Sequence, residues 1–288
     1  MNWISMIHKP SGPMLVFIGA VLWSLNAPLV IYLDLDPFLK CGLRALIAAL
    51  TLSPFIRPRK LKWNGWLLLY VVSFCLLSLS IILALGMTSS PVAIGMQYTA
   101  IIWLFLINWI TTRRFDKISF LPVCLVSLGV VFFMCSGTDG TSLTGNLIAL
   151  TEGITFACMT VSSKKAGQDN PLGLTALGSL FTAAVLLPLF PASTATMVDM
   201  TGTEWFVMII LGVVQFGGGY AFYNLGVQRT TPQKASILAL WEMILGPVWV
   251  ALFLHDYPTP VVVVGFVIIL FGMFLDAKLS NKHAKAKT

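Results

Sequence analysis

Charged side chains are scarce in this sequence. Only 10% of its 288 residues are Asp, Glu, Lys or Arg, whereas a soluble domain carries about 25%. Hydrophobic residues make up 57% of the chain. Because so few polar side chains cannot cover a globule of this size, lipid must cover much of its surface. The composition excludes a water-soluble single domain and predicts a polytopic membrane protein.

Motifs typical of metal sites, disulfide frameworks and enzymes are also missing. The five cysteines lie in apolar runs without CxxC pairing or a nearby histidine cluster, so neither a disulfide framework nor a zinc site is suggested. There is no glycine-rich phosphate loop and no HExxH motif, and none of the three histidines, His8, His255 and His283, lies at mid-membrane depth. We therefore expect no enzymatic activity, no metal and no cofactor.

Ten apolar stretches of about 20 residues match the thickness of a bilayer core. They lie at residues 13–33, 37–56, 64–86, 91–112, 119–136, 145–163, 171–191, 204–226, 232–254 and 258–275. Several open on a proline, which the first turn of a helix tolerates because its missing N–H would have no partner there. We therefore predict an all-α integral membrane protein with ten transmembrane helices and no soluble domain.

The charged residues between these stretches fall on alternate sides of the membrane. Lys and Arg occur at residues 9, 57–62, 113–117, 164–165, 229–234 and 278–287. The intervening connections contain neither, and carry Asp34, Asp36, Asp139, Asp199, Glu204 and Asp256. Since basic connections remain in the cytoplasm, both termini are predicted to be cytoplasmic. The net charge of +7 then reflects membrane orientation, and we expect no nucleic-acid partner.

A short motif occurs twice. LGMTSSP at residues 85–91 returns as LGVQRTTP at residues 225–232, and each copy joins the third and fourth spans of a five-span half. A second echo has a spacing of seven near the end of each half, and pairs Pro122 and Gly129 with Gly265 and Gly272. These echoes indicate that the two halves are repeats.

We interpret residues 1–138 as the first repeat, with spans 1 to 5, and residues 139–288 as the second, with spans 6 to 10. Because each repeat has five spans, the second copy must be inverted in the membrane. Inverted repeats that together form one membrane domain suit alternating access around a site near the midplane.

Several loose motifs follow one another in a characteristic order. They are Leu22-Trp23-Ser24 with Asn26, Leu43-Arg44-Ala45, Ala84-Leu85 before the Thr-Ser-Ser-Pro turn, the loop from Gly226 to Ala235, Leu240-Trp241-Glu242, and Gly246-Pro247-Val248. In order and spacing the chain resembles the EamA-type members of the drug/metabolite transporter superfamily. The resemblance implies two inverted five-helix repeats, a central cavity, and export or exchange of small metabolites across the bacterial inner membrane.

The sequence departs from that family pattern in two places. The stretch at 97–100 lacks the proline that is common in the fourth span, and His255-Asp256 stands where the ninth span usually ends on an acidic residue. Both departures leave the substrate and the coupling ion open.

Apart from Glu204 and Lys234 at the mouths of their spans, four ionisable residues lie inside the apolar stretches, where each costs about 2.5–3.5 kcal/mol on insertion scales. Lys40 is shallow enough for its ammonium to reach the interface. Arg44 and Glu152 both lie about 10 Å deep from the same side, so we predict that they form an ion pair without ligand. Glu242 lies near the midplane. Such residues either bind substrate or protons or form structural pairs; the choice is open for Arg44, and we favour function for both carboxylates.

The candidate substrate-binding residues are polar or aromatic and lie within spans: Trp23, Asn26, Arg44, Gln97, Tyr98, Glu152, Gln215, Trp241 and Glu242. Further candidates of the same kind are Trp103, Tyr220, Tyr223 and Asn224. An indole that faces a cavity can stack on a ring or a cation. A carboxyl group in a low dielectric favours its neutral form, so Glu242 and Glu152 are also candidates for proton coupling.

The sequence thus predicts a secondary transporter that exports amino-acid-like or aromatic and amine compounds, with protons as the candidate coupling ion. Two carboxylates near tryptophan favour a positively charged substrate, and Arg44 would admit a zwitterion. One alternative is uptake or exchange of organic cations such as quaternary amines, and another is a membrane scaffold or sensor that transports nothing. The expected partners are a small-molecule substrate and the bilayer, and the oligomeric state is open.

Overall fold

The computed structural model describes residues 11–113, 115–135, 142–166, 169–230 and 232–286. Every regular element in these ranges is helical. The first half contains α1 (Gly12–Ser24), α2 (Asn26–Tyr32), α3 (Pro37–Leu52), α4 (Gly65–Leu85), α5 (Ser90–Gln97), α6 (Ala100–Thr112) and α7 (Lys117–Cys135). Short 3-10 turns at Ser53–Phe55 and Pro58–Lys60 lie between α3 and α4.

The second half continues the same pattern. It contains α8 (Leu143–Ala166), α9 (Pro171–Leu189), α10 (Pro191–Ala195), α11 (Gly202–Ile209), α12 (Gly219–Val227), α13 (Pro232–Leu254) and α14 (Pro260–Ala286). A 3-10 turn, Thr196–Asp199, precedes α11, and a π-helical segment, Ile210–Gly218, joins α11 to α12.

The lengths and composition of these helices suit a membrane. Among the described residues, eight segments, with a broken helix counted as one, are long and apolar enough to cross a bilayer, and Ser119–Cys135 is a shorter apolar helix. Helices also lie in all ten apolar stretches predicted from the sequence. Most of their ends agree within a few residues, whereas α14 continues past the predicted end at residue 275 to Ala286. The protein is therefore an all-α, multi-pass membrane protein, as its composition predicted.

Polar residues just before the helices explain where several of them begin. The Asp36 carboxylate accepts hydrogen bonds from the N–H groups of Phe38 (2.8 Å) and Leu39 (3.2 Å) at the start of α3. Asn64 and Asn170 accept in the same way from the first turns of α4 and α9. These side chains satisfy N–H groups that have no partner within the helix.

The first span is broken between α1 and α2. Pro28 has no N–H to bond the carbonyl of Ser24, and its ring crowds that carbonyl, which favours a break in the helix at this point. At the break, the Leu25 N–H bonds to the carbonyl three residues back, that of Leu22, at 3.3 Å. The Ser24 hydroxyl donates to the carbonyl of Val21 at 2.7 Å.

The fourth span is broken between α5 and α6, although no proline lies there. The N–H groups of Tyr98 and Thr99 bond to carbonyls three residues back, those of Gly95 and Met96. The Thr99 hydroxyl also donates to the Met96 carbonyl at 2.7 Å. Such a bond from side chain to backbone competes with the regular helical pattern, although Thr155 makes one within the unbroken helix α8.

The two motifs with a spacing of seven, Pro122 with Gly129 and Gly265 with Gly272, meet where α7 crosses α14. A Cβ atom on Gly129 would lie 2.8 Å from the Gly265 carbonyl oxygen, and one on Gly272 would lie 3.2 Å from the Pro122 carbonyl oxygen. Backbones approach this closely in membranes only where residues are small. The echo seen in the sequence is thus an antiparallel packing contact.

Candidate functional site

The Arg44 guanidinium lies buried at the junction of four helical elements. It donates to the Asn26 side-chain oxygen at 2.7 Å and to the Ser78 carbonyl at 3.4 Å. Its central carbon lies 4.9 Å from the centre of the Phe216 ring, a distance that suits a cation–π interaction. Its Nε atom is buried and has no hydrogen-bond partner. Arg44 therefore has a donor left for a ligand.

An aromatic group lies beside Arg44 and centres on Trp23. The Trp23 ring lies 4.9 Å from the ring of Tyr220 and 4.6 Å from that of Tyr223. Gln215 donates to the Trp23 carbonyl at 3.3 Å. The indole Nε1 of Trp23 and the amide oxygen of Gln215 are buried without partners. The group thus combines apolar ring faces with an unused donor and an unused acceptor.

The π-helical segment Ile210–Gly218 supplies part of this aromatic group. Phe216 lies within it, and its ring is 5.1 Å from that of Tyr220. A Cβ atom on Gly219 would collide with the Trp23 indole, so the missing side chain lets the ring lie against the backbone. π-Helical turns are rare and are frequently found at functional sites.

Glu242 lies on α13 and faces the break in the fourth span. The Tyr98 hydroxyl donates to its carboxylate at 3.3 Å. Tyr223 and Tyr220 both lie within electrostatic range of Glu242, and Tyr220 is also within range of Arg44. The aromatic group therefore lies between a cationic and an anionic pole.

Glu152 on α8 is fully buried, and neither of its carboxylate oxygens has a hydrogen-bond partner. Its neighbour Gly153 packs against Thr99 at the break in the fourth span. Glu152 is also close enough to Glu242 for the two carboxylates to repel each other. An unpaired carboxylate is costly in such surroundings, so this site favours a cationic ligand or a proton.

The predicted ion pair between Arg44 and Glu152 is wrong for this structure. The Arg44 guanidinium donates to Asn26 and Ser78, whereas neither carboxylate oxygen of Glu152 has a hydrogen-bond partner. Equal depth in the membrane therefore did not bring the two charges together. The Lys40 ammonium bonds to the Leu33 carbonyl at the end of the first span, which agrees with its predicted reach toward the interface.

Lys40 is buried and bonds to backbone within the first span. Its ammonium donates to the carbonyls of Val30 (3.3 Å) and Leu33 (3.0 Å) at the end of α2. A cation at the C-terminus of a helix is favourable because the last carbonyls there have no partners.

Two other candidates lie apart from this cluster or at its margin. Trp241 is 41% exposed and its ring lies 5.7 Å from that of Phe17. It shares an exposed stripe of α13 with Val248 and Leu252, which lipid would cover. The structure therefore does not place Trp241 with Glu242. Gln97 is half-buried beside Tyr98.

Sequence reasoning missed two contributors to the site. Phe216 is one apolar residue among many in its span, although it precedes Tyr220 by one helical turn and so shares its face. The carbonyl of Ser78 has no signal in the sequence at all. Seven of the nine candidates, Trp23, Asn26, Arg44, Tyr98, Glu152, Gln215 and Glu242, lie in one connected cluster.

The chain is similar to a known transporter family and to named exporters. Residues 143–276 match the EamA-like transporter family. The chain is 23% identical over 255 residues to the threonine/homoserine exporter RhtA of Escherichia coli K12, covering 85% of this chain and 83% of that protein. It is 22% identical over 283 residues to a probable amino-acid metabolite efflux pump of Salmonella typhimurium LT2, covering 91% and 93%.

A protein of known crystal structure has a similar fold. Its TM-score with this chain is 0.63 at 16% sequence identity, covering 93% of this chain and 97% of that one. At this identity the likeness extends to the fold alone.

Proposed function

Because the chain belongs to the EamA-type transporters of the drug/metabolite transporter superfamily, we propose that it exports small zwitterionic amino acids across the bacterial inner membrane. Alternating access is the proposed mechanism. The names of the two exporters to which the chain is similar support an amino-acid substrate. Uptake of organic cations is the competing activity, because two carboxylates beside aromatic rings also suit an amine.

One observation carries the choice of a zwitterion. The cluster has an unused cationic donor at Arg44 Nε and unused carboxylate oxygens at Glu152, with the unused indole N–H of Trp23 as a further donor. An amino acid presents a carboxylate and an ammonium that complement these two poles. The rings of Trp23 and Tyr220 supply apolar contact for its side chain.

Helix packing supports the proposed architecture of ten spans in two inverted repeats. In such a repeat each span of the first half is equivalent to the span five places later, so α4 (span 3) corresponds to α12 (span 8) and α1 (span 1) to α8 (span 6). The extensive contact of α4 with α8 therefore corresponds to that of α12 with α1, which is also extensive. The contact of α5 and α6 with α8 becomes that of α13 with α1. The contacts of α7 with α14 and of α3 with α9 each join two equivalent spans, so the exchange leaves these contacts unchanged.

Two glycine contacts follow the same exchange. Gly145 begins its repeat, and a Cβ atom there would lie 2.7 Å from the Met87 carbonyl oxygen, in the first copy of the turn motif. Gly12 begins the other repeat, and a Cβ atom there would collide with the Arg229 carbonyl, in the second copy. The boundary at residues 138 and 139 lies outside the described residues.

The proposed topology places both termini in the cytoplasm. It rests on the alternation of basic and acidic connections, several of which include residues outside the described ranges, among them Lys9, Arg114 and Asp139. In this orientation the cluster lies within the membrane, where alternating access can expose it to either side.

We further propose that protons drive export. Glu152 and Glu242 repel each other, and the hydrogen bonds described for Arg44 do not reach either of them. Such a pair is costly unless it holds a proton or a cation. Binding of the substrate ammonium from the cytoplasm can therefore displace a proton from the pair into the cytoplasm. A proton taken up from the outer side as the amino acid leaves would restore the pair.

The deciding experiment is flux from proteoliposomes loaded with labelled threonine, phenylalanine or choline. We expect the amino acids to leave faster than from protein-free vesicles and to compete with each other, because both fit the two poles. Flux of choline alone would support the organic-cation alternative. Flux of none of the three would favour a scaffold or sensor and would contradict the proposal.

A further inference from the structure

A groove of about 590 Å³ opens on the outside of the bundle between α4 and α9. Leu68 and Val71 line one wall, and Leu180 and Phe181 line the other. Trp63 and Asn64 line its end beside the start of α4. This surface is concave and apolar, and it lies apart from the Trp23 cluster.

The segment 57–62 ties together the ends of both walls. The Trp63 indole N–H donates to the Pro58 carbonyl at 3.4 Å, which joins the Pro58–Lys60 turn to Trp63 at the end of the groove. The Asn170 amide donates to the Arg57 carbonyl at 3.5 Å, which holds the same segment at the start of α9. The end of the groove therefore borders this segment.

This end of the groove is strongly basic. The exposed residues of the segment include four cations, Arg57, Arg59, Lys60 and Lys62. A fifth cation is held nearby, since the Lys165 ammonium lies 3.8 Å from the centre of the Trp66 ring in the first turn of α4. The exposed Asp169, just before the α9 cap, is the acidic residue adjoining this group.

We propose that this groove binds an anionic phospholipid, with one acyl chain between the apolar walls and the phosphate on segment 57–62. An apolar channel with a cationic end matches that molecule, because basic residues near the membrane surface each add about 1 kcal/mol of attraction for anionic lipid. A zwitterionic lipid could fill the groove but would gain little from the cations. The proposal does not depend on the transported substrate.

Native mass spectrometry of the full-length protein tests this site. In mixed micelles of phosphatidylglycerol and phosphatidylcholine, we expect the protein to retain one phosphatidylglycerol in preference. The triple variant Arg59→Gln, Lys60→Gln, Lys62→Gln should bind it at least about tenfold more weakly. The single variant Leu180→Trp, which fills the groove and keeps every cation, should also lose the lipid.

A matched control removes the same charge elsewhere on the basic side. The exposed residues Arg113, Lys117 and Lys278, replaced together by glutamine, should leave lipid retention unchanged. Equal weakening in this control would mean general attraction to a basic surface and would overturn the proposal. Equal retention of phosphatidylcholine, or binding of glycerol phosphate as tight as that of the lipid, would overturn it too.

Discussion

Replacement of Glu242 by glutamine should lower threonine export more than about tenfold and remove the dependence of flux on pH. Glutamine keeps the size of the side chain and can still accept from the Tyr98 hydroxyl, but it cannot carry a charge. Hydrogen bonds to charged groups are worth about 1.5–3 kcal/mol, and 1.4 kcal/mol corresponds to tenfold. Flux of labelled threonine from proteoliposomes, measured over a series of pH values, gives both quantities.

The neighbouring residue provides the control. Trp241→Phe changes a side chain on the exposed face of α13, so flux and its pH dependence should stay close to those of the original protein. If Glu242→Gln retains both flux and pH dependence, Glu242 is a structural residue and the proposed proton coupling fails.

Arg44→Met and Glu152→Gln should have additive effects on stability and coupled effects on threonine binding. The two side chains do not meet, and effects at sites without a shared partner add to within about 0.3–0.5 kcal/mol. Each variant should bind threonine at least about tenfold more weakly, because each removes one charged contact. The double variant should bind little worse than either single one, since loss of one pole already releases the ligand.

Lys40→Met is the matched control for Arg44→Met. Lys40 is another buried cation of α3, but it bonds to the carbonyls at the end of α2. Its loss should lower the melting temperature and leave the threonine affinity of the folded protein unchanged. Coupling between Arg44 and Glu152 in stability would mean that they do pair, and unchanged threonine affinity in Arg44→Met would remove it from the site.

The fold was largely predictable because the membrane imposes simple requirements. Length and apolarity locate helices when every backbone group must be satisfied within its own segment. The breaks in the first and fourth spans were harder to predict from the sequence. Pro28 offers a physical reason for the first, whereas no proline lies at the break at Tyr98 and Thr99. The π-helical segment had no signal beyond the glycines at its end, Gly217 and Gly218.

The site was predicted in its residue types and only partly in its geometry. Depth along a span follows from counting residues, but rotation about the helix axis does not follow from depth. This is why Arg44 and Glu152 were expected to pair. Rotation also separates Trp241 from Glu242. Adjacent residues of a helix point about 100° apart at 3.6 residues per turn, so the two side chains do not face the same ligand.

The central claim is that one ligand uses a cationic and an anionic pole together. Calorimetric titration of the purified protein with threonine, 1-amino-2-propanol and 3-hydroxybutyrate tests it directly, because the last two compounds lack the carboxylate and the ammonium respectively. We predict that threonine binds at least about tenfold more tightly than either analogue, since each lacks one charged contact. Binding of 1-amino-2-propanol as tight as that of threonine would contradict the claim, because Arg44 would then contribute nothing to recognition.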